Sequence, residues 1–161
     1  MARTPTIGEL SGKRFKKELE ALRSFIASAT TPLPKGEARK QRVAACSTDL
    51  ELFGKTYFPH YLTAPSSKLH KYLYERLKEL VFLAIGTGEG SREADAAPRG
   101  NAKSTITTVI FPIWCAAYKH RLFPLIVSET ASQVWDFISA IKVELETNNR
   151  LKQDFPELCG E

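Results

Sequence analysis

The stretch "AKSTITTVIFPIWCAAYKH", residues 102 to 120, constrains this chain more than any other. It is apolar over about five helical turns at 1.5 Å per residue, with Pro112 as the point of a bend. A short loop, "PRGN", leads into it, and a compact apolar run, "LFPLIVS", follows. That run has the composition of a buried strand, and "READAA" ahead of the loop is long enough for another. A second amphipathic helix, "SQVWDFISAIKVELETN", comes next, with Val134, Phe137, Ile138, Ile141 and Leu145 on its apolar face. The order strand, loop, helix, strand, helix predicts the opening of a parallel α/β sheet with flanking helices.

A turn between a strand and a helix presents backbone N–H groups and a positive helix terminus to an anion. The segment "AAPRGNAKST" has the Lys-Ser pair of a phosphate loop, G-x-x-x-x-G-K-[ST], with Ala97 and Ala102 at the two glycine positions. Glycine is required only where φ is positive or where a side chain would strike the phosphate, and alanine is the smallest replacement. The place of Ala102 beside Lys103 predicts a helical backbone there, and Gly100 remains at the tip of the turn. Arg99 brings a second cation to the same terminus, which is unfavourable unless an anion is present. The competing reading is a plain turn with an exposed lysine, since a glycine-poor match is weakly specific.

The N-terminal part is different in kind. Residues 1 to 45 hold ten Lys or Arg against four Asp or Glu, whereas the rest of the chain holds thirteen against fourteen, so the net charge of +5 arises entirely in the arm. Such an arm is attracted to nucleic acid or to acidic protein surfaces without reading a sequence. The segment "SGKRFKKELEALRSFIASAT" has Ser11 as a candidate cap and Phe15, Leu19, Leu22, Phe25 and Ile26 at helical spacing. "TTPLPKGEARK" then reads as a linker, with a second structured part beginning near Gln41. "LELFGKTYFPHYLTAPSS" is too rich in proline for a long helix. "SSKLHKYLYERLKELVFLAIGTG" is a helix capped by Ser66 or Ser67, with Leu69, Leu73, Leu77 and Leu80 on one face. No run approaches the roughly 18 apolar residues of a membrane span. Cys46, Cys115 and Cys159 have no C-x-x-C spacing and make no ligand cluster with His60, His70 and His120, which predicts free thiols and no zinc site.

From about residue 50 onward the sequence resembles the ATPase domain of the large terminase subunit of tailed bacteriophages, the motor that packages DNA into proheads. The resemblance rests on "FGKTYFPHYLTAPSSKLHKYLYERL", on the loop "APRGNAKST" with an arginine four before the lysine, on "FPLIVSETASQ", and on "IKVELETNNRLKQDFPEL". It implies an α/β fold, a partial P-loop NTPase sheet of ASCE type preceded by a helical region, divided into a basic arm and linker (1–45) and the N-terminal portion of the ATPase domain (46–161). It implies further that Arg99, Gly100, Asn101, Ala102, Lys103, Ser104 and Thr105 wrap the phosphates of ATP. Lys103 would contact the β- and γ-phosphates, and Ser104 would help hold Mg2+.

Tyr57, Phe58 and Tyr61 are candidates to stack on adenine, with core packing the competing role. Ser128, Glu129 and Thr130 are candidates to touch DNA or relay nucleotide state, with helix capping competing for Ser128 and Thr130. No acidic Walker B pair follows Thr130 and no nuclease domain appears before "DFPELCGE", so no catalytic residue is assigned and the chain reads as the first part of such a protein. The partners implied are double-stranded DNA, the small terminase subunit, the portal and neighbouring motor subunits, in the cytoplasm of a bacterial host and with no membrane. Two alternatives stand beside this one: a fragment of a helicase-type P-loop ATPase, and a nucleotide-free module that binds DNA or a partner through its basic helix.

Overall fold

A computed structural model describes residues 13–88, 92–96, 102–121 and 124–160. The chain divides into two compact units. One holds helix α1 (Lys13–Ala29) with α7 (Ala131–Thr147), α8 (Asn149–Asp154) and α9 (Pro156–Cys159). The other holds α2 (Glu37–Ser47), α3 (Leu50–Tyr57), α4 (Lys68–Thr87), α5 (Lys103–Thr105) and α6 (Phe111–Ala117), with a π-helical turn, Ile106–Ile110, joining the last two.

No strand occurs among the described residues, so the expected α/β class, a parallel sheet of P-loop type, is overturned in favour of an all-helical architecture. The described part of "READAA", residues 92–96, is exposed and irregular. The described part of "LFPLIVS" is irregular too, with Leu125 88% and Val127 80% exposed. A strand exists only as a member of a hydrogen-bonded ladder, and the described part of neither run finds a partner among the described residues. Composition alone favours an extended backbone without supplying the neighbour that would make it a strand.

In the first unit, α1 packs on α7 and buries Ile26, while Phe25 stays 42% exposed. The buried line of α7 runs through Ala140, Val143 and Glu144, and Ile138, expected on the apolar face, is exposed. A polar seam fastens the end of α1 to α8. Asn149 donates its backbone N–H to Thr30 Oγ1 at 3.1 Å and its side-chain amide to the Ala27 carbonyl at 3.0 Å. Gln153 both accepts from the Leu33 N–H, at 3.0 Å, and donates to the Leu33 carbonyl, at 2.8 Å. The buried Asn148 caps α8 through the N–H groups of Arg150 and Leu151 and donates to Glu144 at 2.8 Å. Each buried polar atom of this seam thereby meets a partner, as burial demands.

In the second unit the helices form where their boundaries predict. Ser67 caps α4 in a reciprocal box with His70, and Gly88 closes it in the left-handed conformation (φ 72°) that glycine adopts most readily. Helix α3 stops at Phe58, directly before Pro59. The start at Glu37 corrects the expected linker, whose second half is already helical in α2. Phe53, Tyr57, Phe58, Leu73, Tyr74, Ile110 and Trp114 form the core. Gly54 lies so close to its neighbours that a Cβ there would meet Leu62 Cδ1 at 2.9 Å.

The end of α2 is finished from far along the chain. The Trp114 indole donates to the Cys46 carbonyl at 2.9 Å, and the Tyr118 hydroxyl to that of Val43 at 2.8 Å. His120 Nε2 lies 3.0 Å from the Ser47 carbonyl. Trp114 and His120 thereby occupy carbonyls that a helix C-terminus otherwise leaves unmet, and Tyr118 binds the carbonyl just before them.

Candidate functional site

The segment 102–117 is helical without a break from Lys103, and it carries the described half of the predicted phosphate loop. Arg99, Gly100 and Asn101 lie outside the described residues. Ala102 has φ 49° and ψ 11°, a left-handed backbone and not the right-handed one expected of it. Its carbonyl accepts the first helical hydrogen bond, from Ile106 N–H at 3.0 Å, so Ala102 is the N-cap, and its methyl side chain makes no cap hydrogen bond. A left-handed alanine is strained by about 1–2 kcal/mol, which a glycine would avoid. The alanine thus stands at a glycine-demanding position.

The three residues that follow differ in exposure. Ser104 is exposed, and Lys103 and Thr105 are half-buried. Thr107 Oγ1 donates to the Lys103 carbonyl at 2.9 Å, and Thr108 Oγ1 donates to the Ser104 carbonyl. The first turn of the helix is therefore held from within by two hydroxyls. In the sequence these two threonines stand out only as members of a run of six successive β-branched residues, 105–110, ahead of Pro112.

Upstream, residues 92–96 are fastened to α4 by side chains. Arg76 donates to Glu93 at 2.8 Å and to Glu79 at 3.1 Å, and the Tyr72 hydroxyl donates to Glu93 at 3.3 Å. The hydrogen bond from Arg76 holds the Glu93 carboxyl below its ordinary pKa. Nothing in the sequence links positions 76 and 93, since the contact depends on how the loop returns to the helix.

The aromatic candidates divide. Tyr57 and Phe58 are fully buried, and their rings pack with Phe53 at centroid distances of 4.8 and 5.8 Å. Tyr61 is half-buried and stacks on Phe58, with centroids 6.3 Å apart. Core packing is thus the role of Tyr57 and Phe58. Thr130 caps α7, accepting from the Gln133 N–H at 3.4 Å, and Ser128 donates to the Gln133 side chain. Two buried acids are held protonated by burial: the Tyr74 phenol and the Cys115 thiol are each pushed up to about 12. Elsewhere in this unit, Arg39, Lys40, Val43 and Ala44 line a groove of about 340 Å³ along α2.

No protein-family model, no curated protein and no solved structure matches this chain.

Proposed function

We propose that this chain carries the ATP-binding part of a DNA-packaging motor of the terminase large-subunit type. The observation that supports the reading best is the start of the helix at Lys103. A left-handed residue there turns the chain into a helix whose first residues are Lys, Ser and Thr. A helix N-terminus of this kind attracts phosphate through its N–H groups and its dipole. Lys103 neutralises the β- and γ-phosphates as a flexible point charge, and the exposed Ser104 hydroxyl ligates the Mg2+ that accompanies them. Because the described chain is helical, the grip on phosphate comes from this helix start and the loop before it. In the intact motor, ATP hydrolysis would be coupled to movement of double-stranded DNA, with the small subunit and portal as partners in the cytoplasm of a bacterial host.

Equilibrium titration of the chain and of Lys103→Ala with ATP, in the presence and absence of Mg2+, tests this. Loss of a charge-assisted contact weakens binding by about tenfold, roughly 1.4 kcal/mol. Equal affinity for the two chains, or no binding by a folded wild type, would overturn the reading. Salt-sensitive binding of DNA that ignores both ATP and Lys103 would instead favour the nucleotide-free module acting through its basic helix.

A further inference from the structure

Two surface features of this chain complement one another in spacing and charge. The first is the segment 125–129, Leu-Ile-Val-Ser-Glu. Its exposure alternates residue by residue: Leu125, Val127 and Glu129 are exposed, and Ile126 and Ser128 are half-buried. A period of two is that of an extended backbone. No N–H or carbonyl of these five residues enters a backbone hydrogen bond among the described residues. The outward face presents two aliphatic side chains, almost wholly exposed, and the Glu129 carboxylate, which meets no partner among the described residues.

The second feature is the groove along α2, lined among the described residues by Arg39, Lys40, Val43 and Ala44. On a helix these positions form two neighbouring rows, 39–43 and 40–44, so one end of the groove is cationic and the other aliphatic. The helix beneath it is fixed, since its Val43 and Cys46 carbonyls accept from Tyr118 and Trp114. Glu37 lies 3.4 Å from Lys40, with the two side chains 70% and 77% exposed. A pair so exposed contributes little and leaves Lys40 able to meet another carboxylate.

The spacings agree. An extended backbone advances about 3.3 Å per residue, so Val127 and Glu129 stand about 6.6 Å apart. A helix rises about 1.5 Å per residue, so Lys40 and Ala44 stand about 6 Å apart. A segment laid along α2 therefore sets Val127 over Val43 and Ala44 while Glu129 meets Lys40 and Arg39. The reversed direction would set the carboxylate on the aliphatic end.

We propose that this chain associates with a second copy of itself, the outward face of segment 125–129 in one molecule seated in the α2 groove of the other. Every copy carries one segment and one groove, so two molecules related by a twofold axis make the contact twice and close the pair. Burial of Leu125 and Val127 supplies the attraction, and the charge pair fixes the direction. The contact falls well short of the roughly 20–30 residues a side of a standard interface. Association is therefore weak and grows with concentration, and the dilute chain is a monomer whose segment is free. None of this depends on the nucleotide reading.

Sedimentation equilibrium, run up to the solubility limit, tests the proposal on the wild type, Glu129→Lys, Lys40→Glu and an equal mixture of the two variants. Both substitutions fall on exposed residues, and circular dichroism checks that each variant keeps its helices. The wild type should dimerise. Each variant alone should associate about tenfold more weakly, having lost a charge pair at both contacts. The mixture should regain most of the wild-type affinity, because one of its contacts is unaltered and the other joins the two reversed charges. Val127→Ser should weaken association by about tenfold as well, through lost apolar burial. A wild type that stays monomeric throughout, or variants that dimerise as well as the wild type, would overturn the proposal. So would a mixture that associates no better than its components, since positions 40 and 129 would then not face one another.

Discussion

Ala102 concentrates the tension between local conformation and chemistry in one residue. Its φ of 49° belongs to glycine, yet the chain places a methyl group there, beside the lysine on which the proposed function depends. Replacing it by glycine removes strain of about 1 kcal/mol, partly offset by the extra freedom glycine gives the unfolded chain. Ala102→Gly should therefore leave the helix intact and raise the unfolding midpoint by a small amount, measurable by calorimetry. A fall of more than about 1 kcal/mol would mean that the backbone at 102 is right-handed helical after all. The phosphate-loop pattern already places a glycine at this position, and the left-handed backbone of Ala102 supports that demand against the right-handed backbone expected from its place beside Lys103. Lys103 and Ser104, by contrast, were legible as the opening of a helix.

At the scale of elements, helix punctuation was the most legible feature. Ser67, Gly88, Pro59 and Thr130 each end or begin a helix for a local chemical reason, and local reasons lie within a few residues of sequence. The strands were misread because pairing is not local. Leu125 and Val127 belong to an apolar run of the kind that fills a buried sheet, and they lie almost wholly exposed. Leu125→Ser and Val127→Ser should each change stability by no more than about 0.5 kcal/mol, as at ordinary surface positions. A loss of about 2 kcal/mol or more in urea unfolding, typical of a truncated core residue, would restore the buried-strand reading. The closure of α2 by Trp114, Tyr118 and His120 was illegible for the same reason. Donors and carbonyls some seventy positions apart carry no shared local signal.

For the molecule as a whole, the helical core sets a limit on alkaline stability. Cys115 and Tyr74 are buried, and in the unfolded chain they would ionise from ordinary values of 9.0 and 10.0. Folded, each keeps its proton to about 12 because burial disfavours the anion. The folded state therefore binds more protons than the unfolded state across this window, and stability falls as pH rises. Stability from these two groups should be fully present below about pH 9 and lost progressively toward pH 12, with a shallower decline in Cys115→Val and Tyr74→Phe. Urea midpoints measured across that range provide the check, and a decline of equal slope in the variants would contradict it. Among the described residues the Tyr74 hydroxyl also meets no hydrogen-bond partner in its buried position, so its conversion to phenylalanine removes an unsatisfied donor.

The claim on which the functional account turns is that phosphate meets this chain at the start of the helix at Lys103. Titration of the isotopically labelled protein with ATP and Mg2+, followed through its amide resonances, tests it most directly. The account predicts saturable shifts at the amides of Ala102, Lys103, Ser104 and Thr105, largely lost in Lys103→Ala. Saturable shifts confined to other parts of the chain, or a spectrum unmoved by ATP, would contradict it.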